Sequence, residues 1–157
     1  MVTDSSRASR LRERRGRSSA AAVHDRWMSR CRTLARQARR HGEAAVGSVI
    51  VRRGRLLAEA AEAVKTLCDP TAHAELLAIR AACQRLGSLE LADSVLYTTA
   101  EPCWMCAYAI RRTGIGKVVI ARPVPTVGGI SSAHPILTLP LPDPWPPPPV
   151  VVWWRRR

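Results

Sequence analysis

Two short runs in this sequence have the residue types and spacing that zinc chemistry requires. The first is His73-Ala74-Glu75, and the second is Pro102-Cys103-Trp104-Met105-Cys106. Each run falls at the predicted start of a helix that follows a sheet element. Because such helix starts gather at the sheet edge where α/β folds bind ligands, we expect the two runs to meet at one site.

The residue types also predict how such a site would work. Cys103 and Cys106 can supply two thiolates and His73 a neutral third ligand, which leaves the fourth tetrahedral position open for water. The ion lowers the pKa of that water towards about 7. Glu75 can face the water without binding the ion, so we expect it to carry a proton to a substrate ring nitrogen and then to a leaving amine.

Neither run is specific alone, because a single CxxC pair also occurs in structural zinc sites and redox pairs. Together they match the H-x-E and P-C-x-x-C signature of zinc deaminases. A closed four-ligand site would need a further ligand, for which Cys68 is the nearest candidate. The chain has five cysteines, an odd number. With one CxxC pair this favours metal use in a reducing compartment, and we expect a cytoplasmic location.

The stretches 69–75 (Asp-Pro-Thr-Ala-His-Ala-Glu) and 96–106 (Leu-Tyr-Thr-Thr-Ala-Glu-Pro-Cys-Trp-Met-Cys) resemble the cytidine/deoxycytidylate deaminase superfamily. The Glu-Pro-Cys-x-Met-Cys pattern is most similar to its tRNA-adenosine, guanine and cytosine deaminase branch. The resemblance covers roughly residues 27–137. It implies a three-layer α/β sandwich with a mixed five-stranded sheet, one zinc per subunit, and often a homodimer. It makes His73, Cys103 and Cys106 the zinc ligands and Glu75 the proton shuttle.

Apolar periodicity and breaker residues predict the elements that would position these side chains. Helices are expected over 25–41, 72–86 and 103–113, strands over 46–51, 56–60, 95–99 and 117–121, and a loop over 65–71. Strands that alternate with helices indicate a layered α/β domain with a partly parallel sheet. The deaminase domain is expected to span 23–138, followed by a Pro-rich tail over 139–157 that ends in Trp and Arg.

Glu62 is the main departure from the family pattern, since many relatives carry there an Asn whose amide reads the base. A carboxylate only accepts hydrogen bonds. Our hypothesis is that Glu62 selects a base edge rich in N–H groups and disfavours adenine in tRNA; the alternative is a surface charge at a strand end. Further candidates for substrate contact, each with an alternative as a turn or packing residue, are Trp104, Asp69, Ala74 and Pro102, and the residues Ser131, Ser132 and His134 of a capping loop.

The formal net charge of +13 is concentrated at the two ends of the chain. Residues 1–40 hold 12 arginines and three acidic residues, and the chain closes on three further arginines. We expect residues 1–22 to be a disordered arm. These arms would either bind the phosphates of RNA or single-stranded DNA, or be solvated tails. No run is long and apolar enough to span a membrane, and no secretory signal is expected.

Three functions follow from these observations. The first is a zinc-dependent hydrolytic deaminase that converts an exocyclic amine of a guanine-type or cytosine/cytidine-type substrate to a carbonyl and releases ammonia. The alternative is a tRNA-specific adenosine or single-stranded nucleic-acid deaminase, with the base flipped into the site. The third is a non-catalytic zinc fold that binds nucleic acid, against which the intact Glu75 argues.

Overall fold

The computed structural model describes the backbone of residues 4–155 and the side chains of residues 21–155. The elements in chain order are α1 (Asp4–Arg40), β1 (Gly47–Arg52), β2 (Arg55–Ala61), α2 (Val64–Leu67), α3 (Ala74–Leu86), β3 (Ser94–Thr98), α4 (Trp104–Arg112), β4 (Lys117–Ile120) and β5 (Val150–Trp153). Within this described part, none of the helices has the length and apolar character needed to cross a membrane.

The five strands form one mixed sheet in the order β2-β1-β3-β4-β5. Strand β1 is antiparallel to both β2 and β3. Strands β3, β4 and β5 run parallel to one another. The predicted three-layer α/β sandwich is confirmed, with α1 on one face of the sheet and α3 and α4 on the other.

Alternation along the strands divides the core into two layers. In the layer under α1, buried side chains of that helix pack on the odd-numbered positions of the sheet: Trp27, Met28, Cys31, Leu34, Val49, Val51, Tyr97 and Val119. In the other layer, α3 and α4 pack on the even-numbered positions, including Ile50, Leu96, Val118 and Ile120. Each fully buried side chain of this size stabilises the fold by about 1.5–3 kcal/mol, which fixes both helix layers on the sheet.

Gly47 lets helix α1 lie close to the start of β1. A Cβ atom there would overlap the backbone of α1 at Cys31 and Ala35. Glycine therefore sets how near the helix lies to the start of β1.

The N-terminal segment differs from its prediction. Residues 4–22, expected to be a disordered arm, continue α1. The segment contains no proline, and its six arginines and four alanines favour helix, so its charge did not preclude helix formation. Residues 1–3 lie outside the described part. The predicted loop over 65–71 also includes the short helix α2, which ends at Cys68 in the left-handed conformation.

The C-terminal segment contributes the fifth strand, which the residue pattern did not predict. Three valines that follow the proline run pair in parallel with β4. Beyond them, Nε1 of Trp154 donates a hydrogen bond of 2.7 Å to Asp25 on α1. Trp154 therefore packs on the domain. Part of the segment assigned to a tail is therefore integral to the sheet.

Arg111 ties the proline-rich segment to α4. Its side chain is 1% exposed. One guanidinium nitrogen donates to the carbonyl oxygens of Ile136 and Leu139, and another donates to that of Pro146 at 3.2 Å. Arg111 therefore holds the segment that leads to β5 through its backbone carbonyl groups. It supplies hydrogen-bond donors in a segment whose prolines have no backbone N–H groups.

Candidate metal centre and active site

Two helix starts form the centre of the site. His73 immediately precedes α3 and Cys103 immediately precedes α4, and both have extended backbone conformations. Cys106 lies in the first turn of α4 and is buried. Because α3 and α4 pack on the same face of the sheet, the two predicted runs meet as expected.

The three predicted ligand atoms have the separations that a zinc ion requires. His73 Nδ1 lies 3.6 Å from the Sγ atoms of both Cys103 and Cys106, and the two sulfurs are 3.7 Å apart. Tetrahedral bonds of about 2.3 Å to sulfur and about 2.0 Å to nitrogen imply S···S and S···N separations of about 3.8 and 3.5 Å. The donor set therefore fits zinc with three protein ligands. Among the described residues, only these three form a group that could hold a metal ion.

The position of Cys103 favours its thiolate form. Its pKa is lowered to about 5, first by the hydrogen bond from the Cys106 thiol and then by backbone N–H groups at the start of α4, against the opposing effect of burial. Free N–H groups at a helix start stabilise negative charge. A thiolate is the form that binds a metal ion.

Glu75 lies next to the ligands and is held from the sheet. It is 3% exposed, and its Oε1 accepts a hydrogen bond of 2.9 Å from the hydroxyl of Thr98. Ser48 in turn donates to Thr98 Oγ1 at 3.0 Å. Burial raises the pKa of Glu75 to about 7, despite the hydrogen bonds that favour its charged form. A carboxyl group in this range can both accept and donate a proton near neutral pH.

Glu62 is buried beside the ligands and is not a surface charge. Its Oε2 accepts the backbone N–H of Ala74 at 2.9 Å, so the carboxylate caps α3. Among the described residues, none donates a hydrogen bond to its Oε1. Burial is the main cause of a raised pKa for this carboxyl group. The predicted contact residue Ala74 thus has its N–H committed to Glu62.

Trp104 and the predicted capping loop contact each other at the start of α4. The indole Nε1 donates to Ser132 Oγ at 2.9 Å, and the ring of His134 lies edge-on at 5.3 Å from the indole. Trp104 is 37% exposed. The structure therefore forms an aromatic surface next to the cysteine ligands.

Glu101 organises the loop beside the cysteine motif, a role that was not predicted from the sequence. Its buried carboxylate accepts the backbone N–H groups of Val124, Ile130 and Ser131, each at 2.7 Å, and the Ser131 hydroxyl. Gly128 leaves room for this carboxylate, since a Cβ atom there would overlap it. An acidic residue directly before the Pro-Cys pair was the available signal.

Asp69 and Pro102 have structural contacts in the described residues. The Asp69 carboxylate accepts the backbone N–H and the hydroxyl of Thr71, at 2.7 and 2.6 Å, and so closes the turn before His73. The carbonyl oxygen of the buried Pro102 accepts the N–H of Gly129 at 2.8 Å. Contact of either residue with a substrate stays a prediction.

Comparison with known proteins decides the family. The family model described as the cytidine and deoxycytidylate deaminase zinc-binding region matches residues 21–122, which include all three ligands and Glu75. The chain belongs to this deaminase family. Its cofactor is zinc, and it is a hydrolase that acts on C–N bonds.

Relatives of this deaminase include enzymes named for two kinds of substrate. It is 43% identical over 106 residues to a tRNA-specific adenosine deaminase from Aquifex aeolicus, covering 68% of this chain and 70% of that protein. It is 47% identical over 88 residues to guanine deaminase from Bacillus subtilis, covering 55% and 56% of the two chains. The deaminase spans about half to two thirds of the length of several other curated relatives.

Solved structures give the same two relationships. The deaminase superposes with a TM-score of 0.76 and 32% identity on a structure from a study of tRNA:A34 deaminases, over 83% of this chain and 98% of that one. It superposes with a TM-score of 0.62 and 42% identity on Bacillus subtilis guanine deaminase, over 64% of each chain. Both similarities support the deaminase fold.

Proposed function

We propose that this deaminase removes the exocyclic amine of a free base of the guanine type. The observation that carries the proposal is the buried Glu62 carboxylate, with one oxygen fixed by Ala74 and the other without a described partner. In guanine the carbon that bears the amine lies between a ring N–H and an unprotonated ring nitrogen. In adenine and cytosine no ring N–H flanks that carbon. Because a carboxylate only accepts hydrogen bonds, Glu62 is complementary to the guanine edge.

The residues would share the reaction as follows. Glu62 Oε1 accepts the ring N–H and orients the base. His73, Cys103 and Cys106 would hold the zinc ion, which when bound would supply Lewis acidity to a water molecule near neutral pH. Glu75 takes one proton from the water and delivers it to the unprotonated ring nitrogen as the water oxygen bonds to the carbon that bears the amine. It then takes the second proton from that oxygen and delivers it to the amine, which leaves as ammonia when the C–N bond breaks. The products are a carbonyl at the same carbon and ammonia.

Ammonia release tests the proposal when it is measured on a panel of amines. Zinc-loaded protein would be assayed with guanine, cytosine, cytidine, deoxycytidine, adenosine and a tRNA anticodon stem-loop. We expect turnover of guanine. Glu62→Gln removes a hydrogen bond to a charged acceptor and should lower kcat/KM for guanine by about 10- to 100-fold.

The matched control for Glu62→Gln is Glu59→Gln. Glu59 lies on β2, the strand that ends just before Glu62, but it pairs with Arg30 at the surface, away from the ligands. Its substitution should leave guanine turnover unchanged. An unchanged substrate profile in Glu62→Gln would contradict the assigned role of Glu62, and turnover of the stem-loop alone would contradict the free-base proposal.

The second candidate is a tRNA-specific adenosine deaminase. The similarity to the Aquifex aeolicus enzyme and to the tRNA:A34 deaminase structure supports it. The carboxylate at Glu62 argues against it, because the adenine edge beside the amine offers only acceptors apart from the amine itself. Release of ammonia from the stem-loop but not from guanine would establish this candidate.

A second copy of the chain is the proposed protein partner. On the outer face of α4, Trp104 is 37% and Tyr108 53% exposed, and Trp145 packs edge-on against Tyr108. Exposed aromatic clusters of this kind are typical of interfaces. Sedimentation should give a dimer mass that Tyr108→Arg converts to a monomer mass.

The proposed location is the cytoplasm. The thiols that bind zinc must stay reduced, and the cytoplasm keeps thiols reduced.

A further inference from the structure

A basic groove lies on the opposite face of the sheet from the zinc ligands. It has a volume of about 690 Å3 and is bounded by one side of α1 and by the ends of β3, β4 and β5. Its charged side chains are Arg32, Arg36, Arg39 and Arg122, and Trp154 forms part of its wall. Neither Glu75 nor any of the three ligands lines it.

The charge of this groove is not neutralised within the described residues. No Asp or Glu lines it, and its four arginines form no salt bridge with a described residue. All four are exposed. By contrast, Arg30, on the neighbouring face of α1, is paired with Glu59. The groove therefore concentrates positive charge that is available to an external anion.

The arginines form a row suited to an extended polyanion. Arg32, Arg36 and Arg39 follow one face of α1 and extend over about 10 Å at the helical rise of about 1.5 Å per residue. Each strand of a duplex carries one charge per about 3.4 Å of helix axis, and an extended single strand spaces its phosphates more widely, so more than one phosphate fits such a row. At one end, the guanidinium of Arg32 lies 5.6 Å from the indole centroid of Trp154, and base stacking on an aromatic ring would be available there.

We propose that this groove binds the phosphate backbone of a single-stranded nucleic acid. This binding function goes beyond the proposed hydrolysis of a free base, which needs no phosphate contact. The groove and the zinc site share one edge of the sheet. Thr99 lines the groove, while the preceding Thr98 binds Glu75. A strand held in the groove would thus lie at the same edge of the sheet as the zinc site, on the opposite face.

The test is oligonucleotide binding by the full chain at several salt concentrations. The probe is a fluorescent oligouridylate of about 12 nucleotides, the length range that small single-strand sites cover. The slope of log K against log salt changes by about 0.7 for each neutralised phosphate. Replacing Arg32, Arg36 and Arg39 together with Ser should lower the magnitude of the slope by about 2.

The control variant removes three positive charges from the surface outside the groove. Arg55, Arg80 and Arg112 are exposed and lie outside the groove, and their replacement with Ser should leave the slope unchanged. Both variants keep the N-terminal arginines, and both should keep guanine turnover, which shows that they fold. An equal decrease in slope for the two variants, or an unchanged slope for the groove variant, would overturn the proposal. Binding of inorganic triphosphate with no binding of the oligouridylate would also overturn it.

Discussion

The hydroxyl of Thr98 donates a hydrogen bond of 2.9 Å to Oε1 of Glu75 in a region that excludes solvent from both side chains. Thr98 itself accepts from Ser48. The orientation of the proposed proton shuttle is therefore set by the central strands of the sheet and not only by its own helix.

Thr98→Val keeps the shape of the side chain and removes this contact. We expect kcat to decrease by about 10-fold, since a hydrogen bond to a charged group contributes about 1.5–3 kcal/mol. Zinc content should be unchanged because no ligand is altered. Thr113→Val is the control, since the Thr113 hydroxyl only donates to carbonyls within α4. Equal kcat values for Thr98→Val and the wild type would show that Thr98 does not position Glu75.

The metal ligands make a second prediction. Cys106→Ser should reduce zinc below one ion per chain, as measured by elemental analysis of the purified protein. Chelation should destabilise the wild type, because a ligand at about 100 times its Kd stabilises the folded state by about 2.7 kcal/mol. Cys83→Ser, on α3 away from the site, should retain full zinc content. Full zinc content in Cys106→Ser would remove that residue from the ligand set.

Glu101 predicts how stability depends on pH. Burial is the largest single influence and raises the pKa of Glu101, but the hydrogen bonds from Ser131, Val124 and Ile130 together lower it. Because the pKa of Glu101 is lower in the folded state, its carboxylate stabilises the fold at pH values above the unfolded-state pKa of about 4.3. This stabilisation is lost as the pH falls through the folded-state pKa of Glu101.

The corresponding variant is Glu101→Gln. It should lower the free energy of unfolding near pH 7 by about 1–3 kcal/mol and flatten the decrease in stability at acidic pH. Urea unfolding across that pH range measures both effects. The exposed Glu90→Gln should keep the wild-type profile, and a wild-type profile in Glu101→Gln would show that the loop does not depend on this carboxylate.

Arg111 should be essential for the C-terminal strand. Arg111→Met fills a similar volume but leaves the carbonyl groups of Ile136, Leu139 and Pro146 without their donor. A buried group left without its partner costs about 1–3 kcal/mol, and because Leu139 is exposed to water, we expect a total loss of about 1–3 kcal/mol in urea unfolding. Limited proteolysis should then cut first between α4 and β5. Arg112→Met changes an exposed neighbour, and if it destabilised the chain equally, the backbone contacts of Arg111 would not be the cause.

The sequence was most informative where chemistry is local. His73, Cys103, Cys106 and Glu75 could be identified because ligand types and spacing within each helix start are read directly from neighbouring residues. The strands β1 to β4 were predicted because apolar runs and breakers bound them.

Other features depend on contacts between distant parts of the chain. The valines of β5 become a strand because β4 offers a free edge, which is not visible in the local sequence. The neighbouring proline run instead indicated a tail without regular structure. Thr98 and Ser48 are unremarkable strand residues until β1 and β3 pair. Helix α1 begins at Asp4 although its arginine content predicted an arm without regular structure.

The most direct test of the account is ammonia release from guanine by the zinc-loaded wild type and by Glu75→Gln, with zinc measured on the same samples. The account predicts turnover by the wild type and a rate about 10²- to 10⁴-fold lower for Glu75→Gln at equal zinc content, which is the range for loss of a general acid-base group. Equal rates for the two proteins would contradict the role of Glu75. Absence of ammonia release from guanine by the zinc-loaded wild type would contradict the proposed substrate.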